Sequence, residues 1–214
     1  MMLFNYSYLK WKRTSRNTEI AIFHDNDLGK VIFKRSLLIN QSDMDMQLNA
    51  YEDMRELTLS MHKVLSPIPY RHLSKDNIIA MQYLSGPSYH EVWNSKKYKG
   101  VDIADDISKM FDLLASFHSE SVKNTKQEPL AFCDFGPKNL IKLSDSLVGI
   151  IDPPNKFLPK KPIYDFGILV FEIERSLIQT SRFSLVPKVR KAAKFWIQAS
   201  VERHIYSDFQ AGYN

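Results

Sequence analysis

The hydrophobic period of this sequence changes at Ser85-Gly86-Pro87, and that change constrains the fold more than any other feature. Before the break, short runs rich in aromatic and β-branched residues dominate: Tyr6 to Lys12, Glu19 to Phe23 and Lys30 to Lys34. The last two flank the turn Asp25-Asn26-Asp27-Leu28-Gly29 and predict a hairpin. One helix interrupts the strands. Ser42 reads as its N-cap, Asp43 and Asp45 lie in its first turn, and Met44, Leu48, Tyr51, Met54, Met61 and Leu65 recur at roughly helical spacing. Pro67 and Pro69 end that pattern, and Ile78 to Leu84 returns to a strand. After the break, Ile103, Ile107, Met110, Phe111, Leu114 and Phe117 mark one long amphipathic helix. A small hairpin fits Asn139 to Leu143 and Val148 to Ile151, and two more helices are predicted near Tyr164 to Ile178 and Pro187 to Tyr206. The expectation is an α+β chain in two parts. Residues 1–84 form a small sheet with one helix, and residues 85–214 form a mostly helical half.

Composition narrows the function. At 214 residues, with 44% hydrophobic and 25% charged residues, the chain can bury a core. Its longest apolar run, Phe166 to Phe171, falls far short of the ~20 residues a spanning helix needs. Basic residues from Lys10 to Arg16 precede any apolar h-region, so no signal peptide is expected. Lone Cys133 excludes an internal disulfide framework and a cysteine zinc cage. These features point to a cytoplasmic enzyme or binding protein. The net charge of +5 divides into two basic ends around an acidic middle, with no basic block. Trp11, Phe23 and Phe33 alternate within strands as core residues do, and no base-reading motif is present, so no nucleic-acid partner is expected.

The stretch Phe132-Cys133-Asp134-Phe135-Gly136-Pro137-Lys138-Asn139, followed by Gly149-Ile150-Ile151-Asp152, carries the richest chemistry. Phosphoryl transfer uses a carboxylate to accept the proton of the attacking hydroxyl, and an amide oxygen with another carboxylate to hold magnesium. A loop followed by a strand pair can gather all three. Taken alone, Asp134 and Asn139 also fit an ordinary surface turn, and Asp152 an ordinary strand end.

In their order along the chain, these residues resemble the protein-kinase-like fold, in its small-molecule branch of aminoglycoside phosphotransferases and lipopolysaccharide-core sugar kinases. The resemblance runs from about Lys10 to Leu177. It implies a bilobal molecule, with a small antiparallel-sheet N-lobe carrying one helix and a compact, mostly helical C-lobe. It also implies ATP and Mg2+ as cofactors. Lys34 resembles the lysine that contacts the nucleotide's phosphates, and Glu52 the helix glutamate that pairs with it, with Glu56 one turn on as the alternative. Met81-Gln82-Tyr83-Leu84-Ser85-Gly86 resembles the hinge that binds adenine through main-chain groups, which makes Gln82 and Leu84 cofactor-binding positions. Asp134 then takes the role of catalytic base, and Asn139 and Asp152 those of metal ligands. His118 and Asp165 match structural positions that brace the catalytic loop. Three departures stand out: Phe132 where a His is usual, a glycine-free Thr14 to Thr18 loop, and Pro153-Pro154 after Asp152.

The acceptor follows from what the chain lacks. Only twelve residues separate Asp152 from Asp165, and no Ala-Pro-Glu follows, so a peptide-binding platform is not expected. A hydroxyl of a small molecule or glycan is the expected acceptor, with a lipopolysaccharide or polysaccharide sugar favoured. The alternative is a catalytically impaired, nucleotide-binding regulator on the same fold. Lys34, with Arg13 or Arg16, is expected to meet phosphates. Lys188, Arg190, Lys191 and Lys194 on the last helix read as a solvated face, or as a peripheral contact with an anionic membrane or glycolipid.

Overall fold

The computed structural model describes residues 6, 9–14, 17–37, 41–75, 77–95, 97–125, 130–154, 157–159 and 162–191. It is an α+β structure in which the predicted hairpin is present and longer than expected. β2 (Thr18–Asp25) pairs with β3 (Gly29–Ser36) from Asp25↔Gly29 to Thr18↔Ser36. The turn is set locally. Asp25 Oδ1 accepts hydrogen bonds from the amides of Asp27 and Leu28, each at 2.9 Å, and Gly29 adopts φ +73°. β1 (Lys12–Arg13) and β5 (Ile78–Gln82) complete an antiparallel sheet in the order β1-β2-β3-β5.

Among the described residues of the predicted first strand, only its last, Lys12, pairs in the sheet. Leu9 and Trp11 instead cover one sheet face, over Ala21, Val31, Phe33, Ile78 and Ala80. Tyr6 joins them, its ring edge-on to Phe33 and its hydroxyl donating to Leu73 O at 2.7 Å. The Arg35 guanidinium lies 4.2 Å over the Trp11 ring. Tyr6 and Trp11 thus serve as a lid on the sheet, because that face would otherwise expose Val31 and Phe33 to water.

α1 (Gln41–Leu59) begins one residue before the predicted cap, so Ser42 lies inside it. It stops before the prolines, and Val64–Leu65 forms β4. β4 runs parallel to β8 (Val148–Ile150), which pairs antiparallel with β7 (Leu140–Lys142). This is the predicted small hairpin with one added strand. Gly86 at the period break packs closely: a Cβ there would stand 2.6 Å from Lys142 O.

α2 (Tyr89–Asn94) follows, closed by a reciprocal cap in which the Ser88 hydroxyl accepts from Glu91 N and Glu91 Oε2 accepts from Ser88 N at 2.7 Å. The long predicted helix is α3 (Gly100–Thr125), with all six of its expected apolar positions buried. β6 (Leu130–Ala131) pairs with β9 (Leu158–Pro159), and α4 (Ile163–Gln179) lies within one residue of its predicted limits. Residues 186–191 are helical, and the rest of the last predicted helix, Lys194 included, lies outside the described residues. Arg190 is not simply solvated, since it forks onto Glu174 of α4 at 2.7 and 2.9 Å.

One continuous apolar core joins α1, α3, α4 and the β7–β8 hairpin, with residues from both sides of the Ser85-Gly86-Pro87 break. Among the described residues, no helix is long and apolar enough to cross a membrane.

Candidate functional site

Strand alternation decides which side chains of the sheet meet the rest of the molecule. Val31 and Phe33 point to the aromatic lid, so Ile32 and Lys34 point the opposite way, as do Ile20 and Met81. These four help line a cavity of about 530 Å³ between the sheet and the β7–β8 hairpin. Gln82, Tyr83, Leu84 and Gly86 form another wall, and Thr14 and Thr18 a third. The two threonines are drawn together by a hydrogen bond from Thr14 N to Thr18 O at 3.0 Å. Arg16 lies outside the described residues, and Arg13 is an exposed residue of β1.

Lys34 Nζ meets Asp152 Oδ1 at 2.8 Å inside this cavity, joining residues 118 positions apart. Their side chains are 25% and 42% exposed, so water and solutes reach the pair. Asp152 adopts φ +54°, a left-handed conformation that costs a non-glycine residue energy and turns the chain as it leaves β8. Tyr51 donates its hydroxyl to the same Oδ1 at 3.0 Å. Burial, and then the Asp152 charge, push the Tyr51 phenol well above its ordinary pKa, so it stays a donor.

Glu52 does not pair with Lys34. Its carboxylate is held by Arg71, with Nε to Oε1 at 2.6 Å and Nη2 to Oε2 at 2.8 Å, on an exposed surface. Helix geometry explains this. Tyr51 is buried against the core, and the next residue lies about 100° around the helix. Glu56 is exposed as well. The inward face of α1 is Met44, Leu48, Tyr51, Met54 and Leu57, which contains no carboxylate.

The loop before β7 carries Asp134 and Asn139. Asn139 Nδ2 donates to Asp134 Oδ2 at 2.8 Å and to its carbonyl at 3.0 Å. Ile151 N donates to Asn139 O at 2.9 Å, which continues the hairpin register and sets Asn139 beside the strand end that bears Asp152. Asp134 is exposed, yet the protein around it removes enough water to push its carboxyl above the ordinary value. The Asn139 hydrogen bond opposes that shift, and the charges of Glu172 and Asp152 add to it.

Asp165 underpins the loop. Its carboxylate, 1% exposed, accepts from Phe132 N at 2.7 Å, Cys133 N at 2.9 Å and His118 Nε2 at 2.9 Å. The partner of Nε2 is an acceptor, so Nε2 carries the proton. Cys133 sits at φ +62°, a strained position over-determined by these bonds. The Phe132 ring packs edge-on against Phe117 and Phe135, at 5.6 and 5.4 Å between centroids, and holds its end of the loop by burial.

Lys34, Gln82, Leu84 and Asp152 thus share one cavity, with Asn139 and Asp134 linked to it in series, while Glu52 stands apart. Asn139 has its amide oxygen left over from the bonds to Asp134, and Asp152 its Oδ2. These are hard oxygen donors, the type magnesium takes. Among the described residues, no three His, Cys, Asp or Glu side chains are grouped as a metal site. No known protein family matches the sequence, and no curated protein matches it.

Tyr51, Lys138 and His90 are cavity or site residues that the sequence reading left without a role. Tyr51 was legible as a member of the inward helix stripe. The Ser88-x-x-Glu91 spacing is a capping-box pattern that could have marked the helix carrying His90, which was not expected from the sequence.

Proposed function

We propose that this protein is a magnesium- and ATP-dependent phosphotransferase of the bilobal protein-kinase-like type, acting on a hydroxyl of a small molecule or glycan. One observation carries most weight: the Lys34–Asp152 pair at 2.8 Å, inside a cavity next to the Asp134–Asn139 loop. A nucleotide would lie against Ile20, Ile32 and Met81, with Gln82 and Leu84 along its base edge and Lys34 toward its phosphates. Asn139 and Asp152 would hold magnesium, which supplies charge neutralisation between the phosphates.

Asp134 would accept the hydroxyl proton as the acceptor oxygen bonds to the terminal phosphorus and the bond to the ADP oxygen breaks. Its raised pKa suits a proton acceptor better than an ordinary aspartate does. The short connection from Asp152 to α4 leaves little for a peptide to lie on, which favours a sugar or other small alcohol. ATP as donor fits a cytoplasmic setting.

ADP release should be measured with magnesium across sugars, glycolipid cores, aminoglycosides and choline-like alcohols. Asp134→Asn should lower turnover by about 100-fold or more while ATP binding survives. Unchanged turnover in that variant would sink the assignment.

A second reading, a nucleotide-binding regulator without turnover, is favoured by the absence, among the described residues, of a carboxylate partner for Lys34 on α1. ATP binding without phosphoryl transfer to any acceptor, water included, would select it.

A further inference from the structure

Lys138 stands between the two loop residues Asp134 and Asn139, and it lines the same cavity as Lys34. The other cations around the site are paired: Lys34 with Asp152 at 2.8 Å, Arg175 with Glu172 at 2.8 Å, and Lys142 with Asp106 at 3.4 Å. Among the described residues, Lys138 has neither a hydrogen bond nor an ion pair from its side chain. The carboxylates of the cavity are already engaged, Asp152 by Lys34 and Tyr51, and Glu91 by the Ser88 cap. The loop that presents Lys138 is fixed on both sides. Pro137 O accepts from His90 N at 3.0 Å, and Gly136 O from Asn139 N at 3.0 Å.

His90 provides a second, independent observation. It lines the cavity, and its Nδ1 is buried without a hydrogen-bond partner. Its imidazole is held below its ordinary pKa, first by burial and then by the charge of Lys138, with the Glu91 charge opposing the shift. With Lys34 on the sheet side and Lys138 on the loop side, the cavity offers an anion two ammonium groups, of which Lys138 is not tied to a carboxylate among the described residues.

We propose that Lys138 is a second phosphate-binding cation, which with Lys34 grips the terminal phosphates of a nucleoside polyphosphate from the opposite wall. This rests on the phosphotransferase reading and deepens it, because the glycine-free Thr14–Thr18 segment offers the phosphates no glycine cradle. The two lysines would supply as point charges what a glycine-rich loop supplies as main-chain amides.

The test is calorimetric titration of the full chain with ATP, AMP and inorganic tripolyphosphate, for wild type, Lys138→Ala and Lys138→Arg. Lys138→Ala should weaken ATP and tripolyphosphate by about ten-fold or more and AMP by less than about two-fold, while Lys138→Arg keeps most of the affinity. Thermal unfolding of each variant without ligand separates binding loss from misfolding. If wild type and Lys138→Ala bind ATP and tripolyphosphate equally, the second cation is wrong and the phosphotransferase reading survives. If the wild type binds neither, both fall. Loss of tripolyphosphate binding in Lys138→Ala without turnover in the wild type supports the subsite and selects the regulator.

Discussion

Asp134 holds a proton more tightly than an exposed aspartate would, and its position in the site turns that into a measurable pH dependence. Its base form is the deprotonated one, so activity should fall as pH drops through its folded-state pKa. That pKa is raised above 3.8, chiefly by desolvation, and the acid limb of kcat/KM should therefore lie above the ordinary aspartate range. A limb at or below 3.8 would remove Asp134 as the base. Asp165 makes a second residue-scale prediction. Asp165→Ala would leave two amides and His118 Nε2 without their shared acceptor in a buried site, at a cost of about 3–5 kcal/mol. Urea unfolding measures that loss, and a change below about 1 kcal/mol would mean the loop does not depend on the brace. At this scale the sequence was partly legible. The grouping of Asp134, Asn139 and Asp152 was legible from their spacing around a short hairpin, and the fold brings Asn139 onto Asp134 and beside the strand end that bears Asp152. The partner of Lys34 could not be found by residue type, because an attractive carboxylate at Glu52 lies one residue off the buried stripe. Tyr51 was already visible on that stripe.

Elements set by local chemistry were readable, and those set by distant partners were not. The β2–β3 hairpin follows from an Asp side chain bonding two amides within three residues and a Gly at positive φ, all of it local. The 6–12 segment has strand-like composition, yet its Tyr6 and Trp11 cap a sheet face whose neighbours include Leu73 and Ala80, far along the chain. β4 is likewise decided by β8, more than eighty residues away. The period break is itself a packing element. Gly86→Ala would drive a Cβ to 2.6 Å from Lys142 O and 2.9 Å from Ile141 Cγ2, against backbone that cannot move alone. Destabilisation of about 1–3 kcal/mol is expected, with the cavity wall at Leu84 displaced. Thermal unfolding and ATP titration of the variant check both parts, and an unaltered melting temperature would show that the hinge has room to spare. Glu91→Ala, which removes half of the α2 cap, should cost about 1 kcal/mol by the same measurement.

At the scale of the whole molecule, the sheet and the helices are bound more closely than a hinge between two independent bodies would require. α1 belongs by sequence to the strand-rich part, but its buried face packs in one cluster with Phe111, Leu114 and Ile150 from beyond the break. β4, also before the break, finds its only partner strand among the described residues in β8. The sheet's own core is small, built on five buried residues beneath the covering segment of Leu9 and the aromatics. A fragment of residues 1–84 would therefore expose Met44, Leu48, Tyr51 and Met54 together and leave β4 unpaired. That apolar surface costs roughly 25 cal/mol per Å² in water, and a two-part core of this size cannot offset it. The fragment should be unfolded or aggregated, with collapsed amide proton dispersion, while the full chain unfolds in a single transition. A dispersed spectrum from the fragment would show that the sheet stands alone and that the shared core is dispensable. If the core is shared, as packing requires, the cavity cannot open by swinging the sheet away. On the proposed reading, nucleotide binding should then stabilise the whole chain as one unit, by an amount that grows with the logarithm of ligand concentration.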